Sequence, residues 1–281
     1  GKNYKKSVFH QIDLRHAAKE IDKQILNSIP EPIRESEPFA AMHDSMLRSE
    51  VLGDTDYEQK AFAILQESIV APVKQRKVIP ECVVFPDQIV WARSPVRIDL
   101  AGGWSDTPPH SLLNGGDVVT VALELNGQPP LQAYIRPVQR QSITLRSIDQ
   151  GSETVITEFS DLSVLSNLHS GFSIPKAALC LAGFHPDFCG KQYPSLKAQL
   201  ADIGSGFELT FFSAVPRGSG LGTSSILSAT ILGALSDFCG LGWDLHEIGD
   251  RCLALEQMLT SGGGWQDQYG GIFPGLKLLH T

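Results

Sequence analysis

The sequence has little positive charge for its length. Its 281 residues include 23 Lys and Arg against 31 Asp and Glu, which leaves a formal net charge of −8. A general nucleic-acid binder needs a basic face that displaces counterions from phosphates, and this composition argues against one. The composition does not exclude a small anionic ligand, because a few backbone amides and one cation can hold a phosphate.

Cysteine is scarce, and its spacing forms no close pairs. The chain has five cysteines: Cys82, Cys180, Cys189, Cys239 and Cys252. An odd, scattered set is typical of reduced thiols, so we expect a cytoplasmic protein. Cys180, His185 and Cys189 could suggest zinc, but they lack a Cys-x-x-Cys pair, and we expect no zinc site there.

Long apolar runs are also missing. The lysines near the start, Lys2, Lys5 and Lys6, precede no apolar stretch, so no signal peptide is predicted. The 19 charge-free residues 218–236 approach the length of a bilayer span, but seven are Ser or Thr and four are Gly. We therefore expect no membrane association. The first residue is glycine, from which we expect a processed or cut piece of a longer protein.

The first 82 residues read as a mainly helical preface. Two helical patterns are separated by a polar, proline-bearing stretch over residues 31–38. The first pattern consists of Leu14, Ala17, Ala18, Ile21 and Ile25, and the second of Ala61, Ile64, Leu65 and Ser68. Pro30 is expected to end the first helix, and the second is expected to end before Pro72. We expect this segment to be a linker or a docking surface for another domain.

Strand patterns dominate from residue 83 onward, and helices follow late. The predicted strands cover residues 89–92, 96–100, 118–125, 132–136, 142–145, 154–159 and 207–215. The predicted helices cover 174–182 and 226–238, with a third that begins after Asp244. Turns are predicted at Asn126-Gly127 and Gln150-Gly151. This order indicates an α+β fold over residues 83–281 instead of a regular β–α alternation.

A glycine-rich loop is the strongest local motif. It joins the last predicted strand to a helix and reads Pro216-Arg217-Gly218-Ser219-Gly220-Leu221-Gly222-Thr223-Ser224-Ser225. Glycines let the backbone approach a ligand closely, and the amides at the helix start form a pocket for anions. The loop is neither a Walker A motif nor a dinucleotide fingerprint. The alternative is a plain flexible turn, but we favour phosphate binding.

Two carboxylates follow this loop. Asp244 and Glu247 predict the start of a helix whose apolar stripe is flanked by Glu256. A carboxylate beside a buried stripe is costly unless a cation pairs with it, and the alternative is a rim glutamate that reaches water. Asp267 is expected in a loop between two glycine groups, over residues 261–271, where it could also be an ordinary turn residue.

A third motif covers residues 93–109. Arg97 and Asp99 lie two apart on a predicted strand and therefore share one face. A Gly-Gly turn then leads to Trp104 and Asp106, and an aromatic ring beside a carboxylate suits a sugar. The alternative is an Arg–Asp pair that stabilises the strand end.

Together these three motifs resemble the GHMP kinase superfamily. The resemblance covers roughly residue 89 to the end and implies the α+β N-terminal kinase domain, similar to the second domain of ribosomal protein S5. These kinases carry a third glycine-rich motif in a C-terminal domain, which this sequence does not reach. We therefore expect an incomplete kinase, with a helical preface over 1–82 and an ATP-binding domain over 83–281.

The resemblance also implies roles for individual residues. Ser224 and Glu256 would hold Mg²⁺, and Asp267 would act as the base or orienting group, with Arg97 beside it. Gly103, Trp104 and Asp106 would bind the sugar. The ATP phosphates would lie on Pro216, Gly218, Ser219, Gly220, Leu221, Gly222, Thr223, Ser224 and Ser225.

Within the superfamily, residues 102–109, 124–130 and 262–268 look like those of L-fucokinases. This likeness implies an ATP-dependent kinase that converts L-fucose to β-L-fucose 1-phosphate in GDP-fucose salvage. It also implies fusion to, or docking on, a GDP-fucose pyrophosphorylase domain. The alternatives are a related heptose-phosphate kinase, and a non-catalytic module that senses a sugar or nucleotide.

Overall fold

The computed structural model describes residues 19, 21–34, 36–107, 110–163, 171–216, 218–259 and 264–280. Its helices are α1 Lys23–Ser28, α2 Pro38–Leu52, α3 Thr55–Gln75, α4 His110–Asn114, α5 Ser173–Leu179, α6 Leu196–Ile203, α7 Thr223–Cys239, α8 Leu245–Leu259 and α9 Gln266–Ile272. Its strands are β1 Val90–Ser94, β2 Val96–Ala101, β3 Asp117–Leu123, β4 Leu131–Val138, β5 Ile143–Ser147, β6 Ser152–Ile156, β7 Gly206–Ser213 and β8 Leu276–His280. Of the first predicted helix, Leu14, Ala17 and Ala18 lie outside the described residues.

The strands form two sheets. The larger has the order β1-β4-β7-β5-β6, in which β5 and β7 are parallel and the other neighbours antiparallel. The smaller has the antiparallel order β2-β3-β8. The predicted turns are found: Asn126 and Gly127 both adopt positive φ, and so does Gly151. All seven strands predicted from the sequence are present, with ends shifted by a few residues.

Helices α5, α7 and α8 pack with the larger sheet around one core. Strand β4 alternates buried and half-buried residues, as expected for a strand with one covered face. Phe207 of β7 lies at the centre of this core, with its ring 5.2 Å from that of Phe184 and 5.0 Å from that of Phe238. In the described part of the chain, no helix is both long and apolar enough to span a membrane.

Helices α2 and α3 form a helical hairpin over Pro38–Gln75. The prediction that the second helix ends before Pro72 is wrong, because α3 continues through Pro72 to Gln75. A proline inside a helix removes one backbone hydrogen bond. Here the helix continues because Val70 and Val73, on either side of Pro72, are buried in the main core. Helix α2 was not predicted, and it packs on α3 through small and flexible apolar side chains such as Ala41 and Met46.

Asp267 lies on a helix, so the prediction that it lies in a glycine-rich loop is wrong. Helix α9 begins at Gln266, and Asp267 is in its first turn. Gly270 and Gly271 lie inside α9 and allow it to pack closely: a Cβ at Gly270 would lie 3.1 Å from Thr120 Oγ1, and one at Gly271 would clash with Ile226. Gly262 and Gly263 of the predicted loop lie outside the described residues. Helices α4 and α6 and strand β8 were not predicted either.

Candidate active site

Arg97 of β2 holds together three parts of the site. Its Nε lies 2.7 Å from Asp267 Oδ1, and its Nη2 also contacts that oxygen. Its Nη1 donates to Asp99 Oδ2 at 2.5 Å and to the Gly220 carbonyl at 3.2 Å. Arg97 is 4% exposed. A buried guanidinium with two carboxylate partners is a fixed positive charge between the smaller sheet, the glycine loop and α9.

The glycine loop ends at the N terminus of α7. Gly218, Gly220 and Gly222 have φ of 75°, 74° and 71°, a left-handed conformation that glycine adopts at little cost. Gly222 is also hemmed in, because a Cβ there would lie 3.2 Å from Arg97 Cγ. Arg217 lies outside the described residues. The three glycines with positive φ at alternate positions, together with the amides at the start of α7, make a site suited to an anion.

Two consecutive serines at the start of α7 line the cleft but differ in exposure. Ser224 is exposed and lines the cleft, as does Ser225, which is buried. Ser225 Oγ donates to Glu256 Oε1 and lies 3.5 Å from Asp267 Oδ2. Ser224 and Glu256, which the resemblance names as the Mg²⁺ ligands, both line the cleft, and Ser225 is the hydroxyl that contacts Glu256. The sequence pattern does not show which of the two serines of α7 faces Glu256, because that depends on how α7 packs against α8.

Glu256 faces the cleft. The alternative, in which its side chain reaches out to water at the edge of the helix, is wrong. The pKa of Glu256 is raised to about 7, chiefly because burial disfavours the charged form, while hydrogen bonds from Ser225 and Gln268 act against the shift. The carboxylates of Asp267 and Asp106 raise it further. Gln268, which was not predicted to belong to the site, is 0% exposed and also donates to the Gly264 carbonyl at 3.1 Å.

Asp106 is fully buried and caps helix α9. Its Oδ2 accepts from the backbone amides of Trp265 and Gln266, both at 2.7 Å. A carboxylate at a helix start accepts otherwise unpaired amides and interacts favourably with the helix dipole. The resemblance to GHMP kinases implies that Asp106 binds sugar hydroxyls. In the structure, Asp106 Oδ2 also caps the start of α9, the helix that carries Asp267.

Trp104 projects over the site. It is 72% exposed and has a φ of 72°, which is uncommon for a residue other than glycine. Its amide donates to Gln266 Oε1 at 3.0 Å, which ties this strained turn to α9. Gly103 lies against Asp99, since a Cβ there would be 3.0 Å from Asp99 Oδ2. The pKa of Asp99 is raised by burial, against the effect of Arg97.

These residues surround one cleft of about 360 Å³, which suits a small molecule. Its lining combines Trp104, Asp106, Ser224, Glu256 and Asp267. In the described ranges, no three His, Cys, Asp or Glu side chains are grouped as a ready metal site. Cys180 and Cys189 are buried free thiols. The structure thus places six of the predicted site residues along the cleft, with Arg97 between Asp267 and the glycine loop and Gly103 beside Asp99.

Comparison with known proteins identifies the fold family. Residues 191–275 match the family described as GHMP kinases N terminal domain. The matched segment contains the glycine loop, Glu256 and Asp267. This segment of the chain is therefore similar to the N-terminal domain of GHMP kinases.

Two curated relatives are similar to this chain over more residues than the matched segment 191–275. An L-fucokinase/L-fucose-1-P guanylyltransferase of Bacteroides fragilis is 52% identical over 285 residues, which cover 99% of this chain and 30% of the relative. A bifunctional fucokinase/GDP-fucose pyrophosphorylase of Arabidopsis thaliana is 34% identical over 204 residues, or 71% of this chain and 18% of the relative. The chain therefore spans less than a third of the length of these curated relatives.

A solved GHMP kinase structure shares the fold. The crystal structure of a D-glycero-D-manno-heptose 1-phosphate kinase from Bacteroides thetaiotaomicron is 25% identical and aligns with a TM-score of 0.51. The alignment covers 69% of this chain and 56% of that one. The predicted α+β GHMP kinase fold, preceded by helices, is confirmed.

The raised pKa of Glu256 predicts how the stability of the folded chain depends on pH. Between the ordinary pKa of 4.5 and about 7, the folded state holds a proton that the unfolded state has lost. Stability from this group is therefore present below pH 4.5 and is lost as pH rises through 7. The free energy of unfolding of the wild type should fall by at most about 3 kcal/mol more between pH 5 and pH 8 than that of Glu256→Gln. Urea unfolding without ligands at the two pH values measures the difference. Glu153→Gln, on an exposed strand, is the control; an unchanged slope in Glu256→Gln would contradict the prediction.

Proposed function

We propose that this chain is part of an ATP-dependent kinase that phosphorylates the anomeric hydroxyl of L-fucose, and that it supplies the ATP-binding domain with the residues named above. The observation that carries the proposal is the meeting of Arg97, Asp267 and Glu256 beside a glycine loop at a helix start. The L-fucokinase relative that is 52% identical supports the choice of sugar. In this proposal residues 1–82 are a helical preface, and residues 83–281 are the N-terminal, ATP-binding domain of an incomplete kinase.

ATP would bind with its phosphates on the loop from Pro216 to Ser225. The backbone amides there, at the start of the 17-residue α7, supply hydrogen bonds and a favourable dipole. Arg97 lies next to this loop through its contact with the Gly220 carbonyl, so its guanidinium can neutralise charge on the transferred phosphoryl group.

The donor set in the cleft fits Mg²⁺. Magnesium prefers oxygen ligands and is usually held by one or two carboxylates together with substrate phosphates. Glu256 and Ser224 both line the cleft and would hold the ion. The nearby carboxylates of Asp267 and Asp106, which add to the effect of burial on the pKa of Glu256, are negative charges that a cation would offset. When bound, the metal would neutralise negative charge on the phosphates.

Asp267 would orient the sugar hydroxyl and accept its proton. Arg97 holds Asp267 through Oδ1, which leaves Oδ2, within 3.5 Å of the Ser225 hydroxyl, directed to the cleft. The anomeric oxygen forms a bond to the γ-phosphorus of ATP, and the bond from that phosphorus to the β,γ-bridging oxygen breaks. The products are β-L-fucose 1-phosphate and ADP, and the hydroxyl proton passes to Asp267. Positioning and charge supply most of the catalysis in such transfers.

The sugar would lie between the Gly103–Trp104 turn and the start of α9. Trp104 offers an exposed ring for stacking on the C–H face of a sugar. Asp106 lines the cleft while one of its oxygens caps α9. The five unpaired cysteines favour a cytoplasmic site of action. The names of both curated relatives favour a GDP-fucose pyrophosphorylase region as the fused or docked partner.

The test is a panel of sugars offered to the full-length protein with ATP and Mg²⁺, with ADP release and the phosphorylated product measured. L-Fucose should be turned over, whereas methyl L-fucoside, whose anomeric oxygen is blocked, should release no ADP above the rate without sugar. Turnover of a heptose phosphate but not of L-fucose would favour the heptose-kinase alternative, which the 25% identical structure keeps open. ATP or sugar binding without any ADP release would favour a non-catalytic sensor.

A further inference from the structure

Helix α3 of the helical hairpin lies along α8, the helix that carries Glu256. Gln66 Nε2 of α3 donates to the carbonyl of Gln257, the residue directly after Glu256. Val70 and Val73, further along α3, are buried in the main core beside residues of α8. The hairpin is therefore packed against the element that forms one wall of the cleft, and it contacts that element next to a site residue.

Arg76, the residue directly after α3, links this end of the helical hairpin to α8 through charged groups. Arg76 contacts Glu247 through Nη1, and its Nη2 lies 3.5 Å from Asp250 Oδ2. In return Arg251, which is 1% exposed, donates to the Arg76 carbonyl at 3.0 Å and to the Leu181 carbonyl at 3.0 Å. Its Nε also lies 2.6 Å from Glu247 Oε1. Arg251 is thus a buried charge with several fixed partners, which favours one arrangement of the elements it joins, whereas Arg76 and Asp250 are exposed at the surface above it.

The same network reaches α9. The Tyr269 hydroxyl donates to Asp250 Oδ1 at 2.9 Å, while Asp250 Oδ2 faces Arg76. Gly249 lets the two helices approach, because a Cβ there would lie 2.7 Å from Tyr269 Cε1. Tyr269 follows Asp267 by two residues on a helix of only seven. So short a helix depends on its contacts for its orientation, since its own hydrogen bonds stabilise it little.

We propose that the helical hairpin positions the active site, through a chain of contacts from Arg76 to Asp250 to Tyr269 that sets the orientation of α9. The proposal rests on the proposed function, because it assigns the oriented carboxylate of Asp267 to phosphoryl transfer. Misplacement of a reacting group by about 1 Å is enough to slow catalysis. Arg76, Asp250 and Tyr269 touch neither substrate nor metal in this scheme and are positioning residues.

The test uses the full-length protein with Arg76→Ala, Tyr269→Phe and the double variant. Each single change should lower kcat about tenfold and leave KM for ATP and sugar within about twofold, because orientation and not binding is lost. The double variant should be no slower than the slower single variant by more than about twofold, since both changes break one pathway through Asp250. Arg76→Lys, which keeps the charge, should recover part of kcat.

Arg34→Ala is the matched control. Arg34 belongs to the same N-terminal region and pairs with the exposed Glu67 of α3, so it tests the loss of an arginine ion pair that does not reach α8. It should leave kcat within about twofold. A tenfold loss in Arg34→Ala, or multiplicative losses in the double variant, would overturn the proposal.

Hydrogen exchange provides a readout that does not depend on activity. Amides of α9 should exchange faster in Arg76→Ala than in wild type or Arg34→Ala, because the helix loses an anchor. Unchanged exchange in α9 would overturn the positioning role even if kcat fell. Faster exchange in a protein whose wild type phosphorylates no sugar of the panel would support the positioning role and contradict the proposed function.

Discussion

Replacing Asp267 with alanine is expected to lower kcat for sugar phosphorylation by about three orders of magnitude or more. The side chain is held by Arg97 and presented to the cleft at the start of α9, where a sugar hydroxyl would meet it. Removing a group that orients and deprotonates the attacking hydroxyl typically costs 10²–10⁴ in rate. ATP affinity should change little, because the phosphates bind on the glycine loop. Steady-state kinetics and calorimetry with Mg²⁺–ATP on the full-length protein measure both quantities.

Asp267→Asn separates charge from shape, and Asp244→Asn controls for the substitution itself. The Asp267→Asn change would keep the size of the side chain but remove its ability to accept a proton, so kcat should be close to that of the alanine variant. Asp244 caps α8 by accepting the Glu247 amide at 2.8 Å, and asparagine caps a helix equally well. The Asp244 variant should match wild type. Turnover near the wild-type rate in Asp267→Asn would remove Asp267 from the mechanism.

The elements that local pattern dictates were predictable from the sequence. The glycine loop is recognisable because a β-prone run, alternating glycines and hydroxyls follow one another within about twenty residues, and the structure has β7, the loop and α7 in that order. The start of α8 is likewise local, since Asp244 and Glu247 lie three residues apart and form the cap. The pairing of Arg97 with Asp99 follows from their spacing on one strand.

The features that the sequence did not reveal depend on distant contacts. Helix α9 contains two consecutive glycines, which disfavour a helix by themselves; it is stabilised by Asp106, about 160 residues earlier in the chain, which caps its start. The continuation of α3 through Pro72 depends on burial of Val70 and Val73 against the kinase core. No periodicity within either segment contains that information.

The burial of Arg97 leads to the second large effect that we expect. Arg97→Met removes the cation that faces both Asp99 and Asp267 and leaves two carboxylates close together, where the pKa of the half-buried Asp99 is already raised by desolvation. Removing one partner of a buried ion pair typically costs about 3–5 kcal/mol of stability. Activity should fall by about three orders of magnitude as well, because Asp267 loses its orientation and the phosphoryl group loses a positive charge. Unfolding by urea and steady-state kinetics measure the two losses separately.

A second substitution distinguishes the structural part of this effect from the catalytic part. Adding Asp99→Asn to Arg97→Met removes one of the two unpaired charges, so part of the lost stability should return while kcat stays low. Arg97→Lys keeps a charge but cannot make the forked contacts, and should fall between wild type and Arg97→Met in both measurements. Arg93→Met is the control, because Arg93 is exposed and stacks on Trp91. Recovery of kcat together with stability in the double variant would mean that Arg97 serves the fold and takes no part in phosphoryl transfer.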